Sequence, residues 1–460
     1  TVLASFGPTE CTLNSKPAPH LGYGINLRKL ENLEPLVNPL GIDWVKIWDE
    51  YTELPEAPLE DYRVLYNVSG GGYVRDLNRW REHIASIAKE GQGKVNAYEI
   101  SNEPNISNKA WGDNEVDPTR FAEMLCVAAE EIKAVDPDAL VISGGLAPVG
   151  RVDCQPDKWC EVMDEQLFLR RMLDAGAGAC IDGFGYHPYG FAHPPEQDPD
   201  PVLNGFTFRS TEAMREILVE EGWSDIPVWA TEFNWIRSPS GDGIELECGE
   251  HQDYAPYFSW QEVSPEAQAD YLVRAYEYAD ENWPWMAGLF VWNVDWHNYR
   301  TQFECFHPRY YALRLQNGDP LGEATPAYEA LAEMKKRIVK PAAPEFTVAP
   351  RRKVLFAELG EPKVMTPTFT INKREDEPLT WSATLSSSSH HFAPILQGIG
   401  SQAQHRSGTL SVLVDSHGLD TGTYTATIQV REYPTSTVQI PQSAQVILKV
   451  INQPRAFRWR

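Results

Sequence analysis

The sequence lacks long apolar runs and has comparatively few basic residues. No stretch approaches the roughly 18 consecutive apolar residues of a membrane helix, so no membrane partner is expected. Forty Lys and Arg residues stand against 65 Asp and Glu residues, which gives a formal net charge of −25. That charge repels phosphate backbones and argues against nucleic acid as a partner. The sequence leaves the oligomeric state unknown.

Cysteine is scarce, and its odd count of seven means that at least one thiol has no partner within the chain. Cys126 and Cys180 are expected to be buried. The others of interest lie in loop-like stretches, where they could be disulfide-bonded or free. The candidate pairs are Cys154 with Cys160 and Cys248 with Cys305.

Loop cysteines are more typical of an oxidising compartment than of the cytosol. The sequence as given also begins without Met or a signal peptide, which suggests a start inside a longer or processed product. We therefore expect a secreted, extracellular protein.

Short apolar runs alternate with helix-like stretches over the first 340 residues, a pattern typical of a parallel sheet wrapped by helices. Eight runs can be counted, which is the number that closes a (β/α)8 TIM barrel. The helices have clear start signals, such as Asp117-Pro118 and Ser264-Pro265. The last barrel helix is predicted over 326–338. The predicted runs are 21–27, 44–48, 62–68, 95–100, 139–144, 182–187, 227–231 and 288–292.

A proline-rich segment then ends the alternation of apolar runs and helix-like stretches. The barrel domain is predicted over 1–340, a linker over 341–350, and an all-β sandwich over 351–460, where strand-like runs alternate with turn residues. The stretch GTLSVLVDSHGLDTGTYTATIQV resembles the Ig-like modules known as BACON domains. This domain could bind glycan, but bracing or spacing is the simpler expectation, and Trp381 and Tyr424 are expected in its core.

Two glutamates follow barrel strands at the face where active sites of such barrels lie. Glu103 comes after the fourth strand in Asn102-Glu103-Pro104, and Glu232 comes at the end of the seventh. Three strands apart, they are expected to face each other across the barrel mouth. Cleavage of a glycosidic bond needs a proton donor and an anionic group on opposite sides of the anomeric carbon, which two carboxyl groups can supply.

This arrangement resembles clan A of the glycoside hydrolases, the four-seven barrels. The resemblance implies that Glu103 is the acid/base and Glu232 the nucleophile of a retaining enzyme, with carboxyl groups about 5 to 5.5 Å apart. The pKa of Glu103 should be raised, and Glu232 should stay ionised. No cofactor and no metal ion are expected, and the implied partner is an oligosaccharide or polysaccharide.

Several polar and aromatic residues beyond the strands are candidates for substrate binding. By resemblance, Asn102 bonds the 2-hydroxyl group, His187 and Tyr189 form the polar pair after the sixth strand, and Trp292 forms the floor of the cleavage subsite. Further subsites could be lined by aromatic residues for which core packing is the competing interpretation. These residues are Trp48, Trp111, Trp235 and Trp296.

Two other classes of protein remain as alternatives. One is a carbohydrate-binding barrel without activity, which the presence of both glutamates disfavours. The other is a metal-dependent barrel hydrolase, disfavoured because the first strand reads Gly-Tyr-Gly-Ile-Asn-Leu without His-x-His. Within the clan, exo action as in family 39 and endo action as in family 5 stay open. The long loops 191–206 and 235–264 favour a restricted cleft.

Overall fold

The computed structural model describes most of the chain. The described residues are 20–107, 111, 114–136, 138–152, 160–238, 259–296, 308–315, 319–338, 346–350, 352–373, 381–387, 391–397, 407–432 and 442–451. Within them, no helix combines the length and the apolar character needed to cross a membrane.

The first part of the chain is a (β/α)8 barrel. Its parallel strands are ordered β5-β4-β3-β2-β1-β8-β7-β6, and parallel bridges from Ile142 to Gly183 and from Leu146 to Tyr186 close β5 onto β6. Each of the eight predicted runs overlaps a strand, although β7 ends two residues beyond its run and β8 begins two residues before its run. The strands are β1 Gly22–Asn26, β2 Trp44–Trp48, β3 Arg63–Val68, β4 Ala97–Ile100, β5 Leu140–Ser143, β6 Phe184–Tyr186, β7 Val228–Phe233 and β8 Met286–Val291.

The helices begin at the capping residues that the sequence predicts. Asp117 accepts hydrogen bonds from the amides of Thr119 and Arg120, and Ser264 accepts one from Ala267, so free N–H groups of each first turn are satisfied. The helices are α1 Leu77–Gly91, α2 Pro118–Val135, α3 Glu165–Asp174, α4 Thr211–Glu220, α5 Pro265–Asn282, α6 Pro308–Tyr311 and α7 Pro326–Glu333. Short 3-10 or π turns occupy Leu30–Asn32, Leu33–Val37, Asn38–Leu40, Ala177–Ala179, Leu203–Gly205, Phe208–Ser210 and Ser259–Gln261.

The last barrel helix is shorter than predicted. It ends at Glu333 rather than at residue 338, and Met334 already has an extended backbone. The ammonium group of Lys336 donates to the carbonyl oxygens of Leu331 and Met334. A cation placed on free terminal carbonyls stabilises a helix end, which explains the early stop.

The interior of the barrel is filled in two levels. The lower level is apolar, and the rings of Trp44 and Trp229 meet there at 5.2 Å across the barrel. Its members are Trp44, Leu65, Ala97, Ile142, Trp229 and Phe290. Since alternate residues of a strand face the same side, the residues two positions later form the next level. That level is polar, and it contains Lys46, Asn67, Glu99 and Thr231, all fully buried.

The C-terminal part consists of two β-sheets around a second core that includes Trp381, with Tyr424 packed against it as expected. One sheet has the order β11-β14-β17-β13 with β16 on β17, and the other has the order β12-β19-β18-β15. The strands are β11 Phe346–Ala349, β12 Arg352–Glu358, β13 Val364–Met365, β14 Thr368–Lys373, β15 Trp381–Ser387, β16 Ile395–Gln397, β17 Ser407–Asp415, β18 Gly422–Glu432 and β19 Gln442–Ile451. A small hairpin, β9 Arg314–Leu315 with β10 Glu323–Ala324, precedes them.

The second half of the predicted linker is a strand. Phe346–Ala349 pairs antiparallel with β14, whereas residues 341–345 lie outside the described part. The prolines that suggested a linker flank this strand, where a missing N–H group costs no ladder bond. The ranges 1–340 and 351–460 for the two domains stay a prediction.

The sandwich contacts the barrel at the segments that precede β6 and β7, at the opposite ends of these strands from the glutamates. Arg352 pairs with Asp225 and donates to the carbonyl oxygens of Gly178 and Ile181. Lys449 lies 4.1 Å from the ring centroid of Trp223. These contacts hold β12 and β19 against the segments that precede β6 and β7.

The cysteine expectations need one correction. Cys126 and Cys180 are half-buried and form a disulfide across 54 residues with a Cα–Cα distance of 4.9 Å. The bond joins α2 to the turn before β6, a proximity that only the packed barrel creates. Cys160 is also disulfide-bonded. Cys154, Cys248 and Cys305 lie outside the described residues, so the two predicted pairs stay predictions.

Candidate functional site

A cavity of about 460 Å³ opens at the carboxyl ends of the barrel strands. Both predicted glutamates line it, together with Asn102, Tyr189 and Trp292. The cavity therefore gathers residues that follow the fourth, sixth, seventh and eighth strands. Its remaining lining residues are Trp48, Glu50, Tyr51, Ser69, Gly70, Ser101, Ile106, Ala147, Pro148, Val149, Phe191, Gln261, Trp296 and Tyr311.

The two carboxyl groups lie close to each other and to His187. Single ligand atoms of Glu103, His187 and Glu232 all lie within 4.8 Å of one another. Nδ1 of His187 is 3.2 Å from Oε1 of Glu103 and 3.7 Å from Oε2 of Glu232. The buried imidazole thus bridges the two glutamates, although it does not itself line the cavity.

The turn that carries Glu103 has an unusual backbone. Ser101 and Glu103 have φ values of 69° and 44°, the left-handed region that residues with a Cβ rarely adopt. Such a conformation costs on the order of 1 to 3 kcal/mol and persists only where its surroundings impose it. Here the Glu103 amide donates to the carbonyl oxygen of Gly145 at 3.0 Å. A Cβ on Gly145 would lie 2.2 Å from Nε2 of His187, so glycine is required there.

Glu232 is held from two sides. The hydroxyl group of Tyr189 donates to Oε2 at 2.6 Å, and the ammonium group of Lys46 lies 3.5 Å from Oε1. Burial, and then the charge of Glu232, raise the pKa of Tyr189 well above its usual value. The phenol therefore stays protonated and remains a donor to the carboxylate.

A buried ion pair lies directly beneath this carboxylate. Lys46 is 2.7 Å from Oε2 of Glu99, and both side chains are fully buried. Asn67 donates to the same oxygen at 2.9 Å, and the Gly145 amide donates to Oε1 at 3.2 Å. Burial alone would raise the pKa of Glu99, but the charge of Lys46, followed by that of His187, lowers it below its usual value. Glu99 is thus an anion that fixes Lys46 under Glu232.

Two functional features were missed by the analysis of the sequence alone. Lys46 and Glu99 are charged residues inside apolar strand sequences, WVKIW and AYEI, and that position was a usable signal. Tyr311 also lines the cavity, with its ring 5.2 Å from that of Tyr189. No pattern marked it, because it lies in the four-residue helix α6, away from any strand end.

Asn102, the polar candidate after β4, lines the cavity. Its Oδ1 is buried and has no hydrogen-bond partner among the described residues. An unpaired buried acceptor is costly unless a ligand supplies a donor.

The aromatic candidates divide into two groups. Trp292 and Trp48 line the cavity with their rings at 5.5 Å, and Trp296 packs on Trp292 at 4.8 Å. Trp111 and Trp235 do not line it. Each is buried, and each donates its indole N–H to a backbone carbonyl, that of Pro104 or of His193. Since neither ring lines this cavity, the expectation that these two residues bind substrate stays a prediction.

Glu103, His187 and Glu232 are also the described residues that could together hold a metal ion. Two carboxylates and one imidazole are a ligand set that divalent metals accept. In the structure their atoms already make hydrogen bonds to one another and to Tyr189. The arrangement can therefore serve as an acid and base pair or as a metal site.

The sequence matches no protein-family model and no curated protein. Among solved structures, it is similar to a glucosidase from Croceicoccus marinus with 11% identity and a TM-score of 0.48, over 87% of this chain and 97% of that one. It is similar to xylanase 10B from Thermotoga maritima with 15% identity and a TM-score of 0.41, over 68% and 94%. A third is Bacteroides uniformis β-glucuronidase 3, with 11% identity and a TM-score of 0.41, over 94% and 49%. These fold neighbours are glycoside hydrolases, and at such identities and TM-scores the likeness carries no conclusion about activity.

Proposed function

We propose that this protein is a retaining glycoside hydrolase that cleaves β-linked bonds of oligosaccharides or polysaccharides. The observation that carries the proposal is the pair of carboxylates in the cavity, with oxygens within 4.8 Å of each other. Retaining enzymes keep their carboxyl groups about 5 to 5.5 Å apart, whereas inverting enzymes need about 6.5 to 9.5 Å to admit a water molecule. The short separation supports direct attack by one carboxylate.

In the proposed reaction, Glu232 attacks the anomeric carbon while Glu103 gives its proton to the departing glycosidic oxygen. A covalent bond forms between Glu232 and the sugar, and the glycosidic bond breaks. In the second step Glu103 takes a proton from water, the resulting hydroxide attacks the same carbon, and Glu232 is released. The sugar inverts twice and so keeps its configuration.

The surroundings of the two carboxyl groups support different roles for them. Glu232 is 4% exposed, accepts a hydrogen bond from Tyr189 and lies 3.5 Å from the Lys46 ammonium group. A hydrogen-bond donor and a cation favour the ionised form that a nucleophile needs. Glu103 is more exposed than Glu232, and its Oε1 lies 3.2 Å from Nδ1 of His187. Its side chain can therefore exchange a proton with solvent between the two steps.

The cavity also fits a sugar ring. Trp292 and Trp48 provide apolar faces, and Asn102 provides the acceptor for a hydroxyl group. A hydrogen bond that strengthens in the transition state accelerates the reaction more than one that binds substrate equally well throughout. We therefore place the ring that is attacked between Trp292 and the two glutamates.

A metal-dependent hydrolase is the second candidate, because Glu103, His187 and Glu232 could coordinate one ion. A carbohydrate-binding barrel without activity would need neither carboxylate.

The choice between exo and endo action depends partly on the loop 235–264, most of which lies outside the described residues. Secretion also stays a proposal, and the disulfide-bonded cysteines are in keeping with an oxidising compartment.

Azide is expected to restore activity to a Glu103→Ala variant. Without Glu103 the glycosyl-enzyme lacks its base, but a small anion needs no base and can attack the sugar in the space left by the side chain. With an aryl β-glycoside whose leaving group needs no protonation, we expect release of the phenol to rise at least about tenfold with azide, giving a β-glycosyl azide visible by NMR.

Absence of rescue would contradict the role of Glu103. Hydrolysis of the aryl β-glycoside by the wild-type protein, measured after exhaustive dialysis against a chelator, tests the metal-dependent hydrolase. We expect this activity to be unchanged. Activity that is lost on chelation and returns with a divalent metal would favour the metal-dependent hydrolase.

The charge of the cavity predicts which sugars it rejects. Its described lining includes Glu50, Glu103 and Glu232 and no Lys or Arg, and the Lys46 beneath it is already paired with Glu99. A carboxylate on the substrate would meet only like charges in a partly buried site. We expect kcat/KM for an aryl β-glucuronide to be at least about 100-fold below that for the matching glucoside. A glucuronide that is hydrolysed equally well would show that this reading of the charge is wrong.

A further inference from the structure

Three aromatic rings stack at the rim of the cavity. Phe191 and Phe206 lie 4.6 Å apart between ring centroids, and Trp260 lies 5.5 Å from Phe191 and 6.0 Å from Phe206. The interplanar angles are 25°, 11° and 29°, so the three rings are nearly parallel. We call Phe191, Phe206 and Trp260 the aromatic platform.

The platform is continuous with the cavity and extends beyond it. Phe191 is buried and lines the cavity, and so does Gln261, the residue after Trp260. Trp260 itself is not part of the lining and is 51% exposed. About half of the Trp260 surface is therefore left in solvent next to the site, while its ring stacks with those of Phe191 and Phe206.

The aromatic platform includes a residue with a strained backbone that its neighbours hold in place. Phe191 has a φ of 52°, a strained conformation that is rare for a bulky residue. The preceding Gly190 has no room for a side chain, since a Cβ would lie 1.9 Å from the ring of Trp235. Arg274 pairs with Glu196 and ties the loop between Phe191 and Phe206 to α5. A strained residue that is fixed in this way beside a cavity points to a role in binding.

We infer that the aromatic platform is a subsite for a further sugar ring of the same substrate chain, one that lies outside the cleavage position. This inference rests on the proposed function. A pyranose has apolar C–H faces that pack on an indole while its hydroxyl groups stay in water, so an exposed Trp suits it. Because Phe191 belongs to both the aromatic platform and the cavity lining, one extended ligand can contact both. The enzyme therefore acts on oligosaccharides or polysaccharides in preference to single-sugar glycosides.

Kinetics with short and long substrates test the inference. The variants are Trp260→Ala, Trp260→Phe and the control Leu203→Ala, which removes another exposed apolar side chain, 83% exposed, from the loop that joins Phe191 to Phe206. Substrates are the p-nitrophenyl β-glycosides of glucose, xylose and mannose, and the matching β-1,4-linked tetrasaccharides. We expect Trp260→Ala to lower kcat/KM for the tetrasaccharide about tenfold, through KM, and to leave the aryl glycoside unchanged within twofold. Trp260→Phe and Leu203→Ala should stay close to wild type with both.

Equal losses on short and long substrates, or no loss on either, would overturn the inference. So would a wild-type enzyme that cleaves an aryl glycoside but no tetrasaccharide. If the wild-type protein cleaves neither, the proposed function fails, and titration calorimetry with the three tetrasaccharides tests the subsite by itself. We then expect Trp260→Ala to weaken binding about tenfold. The inference is refuted if Trp260→Ala binds as tightly as wild type, or if wild type binds none of the three tetrasaccharides. It is also refuted if sedimentation shows that Trp260→Ala changes the oligomeric state and leaves the affinity unchanged.

Discussion

Replacing Glu232 with Gln is expected to lower kcat/KM by about 10⁴-fold or more, because an amide cannot form the covalent bond to the sugar. The fold should survive the change. The carbonyl oxygen of Gln can still accept the hydrogen bond from Tyr189, and Lys46 keeps its ion pair with Glu99 at 2.7 Å. Steady-state kinetics and a thermal unfolding curve measure the two effects separately.

The matched control is Glu277→Gln, the same chemical change at an exposed position on α5. It should leave both activity and unfolding as in wild type. Trapping with a 2-fluoroglycoside adds a second measurement, since the wild-type enzyme should gain the mass of one sugar on the peptide that contains Glu232. Substantial activity in the Gln variant, or a label on another peptide, would show that the nucleophile has been misassigned.

Replacing Lys46 with Met is expected to affect both stability and activity. Glu99 would remain fully buried without its cation, and breaking a buried ion pair costs about 3 to 5 kcal/mol of the free energy of unfolding. Glu232 would also lose the ammonium group that lies 3.5 Å from it. We expect kcat/KM to fall at least about 100-fold. Chemical denaturation and kinetics across pH measure these changes.

The pH dependence of this loss has a definite sign. The folded-state pKa of Glu99 is lowered, so its contribution to stability is present above the pKa of an unfolded carboxyl group, about 4.3, and is lost as pH falls through the folded value. In Lys46→Met this contribution is absent at every pH, and burial without a cation raises the pKa of Glu99, so the variant is further destabilised as pH rises above the unfolded value. The difference in stability between wild type and variant should therefore be largest near neutral pH and should shrink steadily as pH is lowered through about 4.

Two further variants separate the ion pair from a general effect of substitution. Lys46→Met combined with Glu99→Gln removes both charges, so the free energy of unfolding should recover in large part while activity stays low. Lys335→Met, at an exposed position, should change neither. Recovery of activity in the double variant would mean that Lys46 does not act on Glu232. A single variant as stable as wild type would refute the energetic role of the pair.

The fold and the location of the site followed from local patterns. Eight apolar runs with helices between them predicted the closed barrel, and the capping residues Asp117 and Ser264 marked where α2 and α5 begin. Because the carboxyl ends of parallel strands share one face, residues following the fourth and seventh strands had to lie at the same opening. The chain could therefore be expected to place Glu103 and Glu232 together before any distance was known.

Other features depend on contacts between segments that are far apart in the chain. Trp111 and Trp235 lie beyond strand ends in the sequence, yet both are buried members of the barrel's hydrophobic core. The disulfide between Cys126 and Cys180 joins residues that looked merely apolar. No periodicity reports such proximity, since it arises only when helices and loops pack around the barrel.

Strand periodicity and the common direction of parallel strands are local rules, so the strands of the barrel and the two carboxylates at its opening could be predicted from the order of residues. The surroundings of those carboxylates depend on the folded chain. Lys46 and Glu99 come from β2 and β4 and meet under Glu232 from β7, and the rings of Phe191, Phe206 and Trp260 come from three separate points of the chain. Charge pairing and ring stacking act over a few ångströms, and only the folded chain sets such distances.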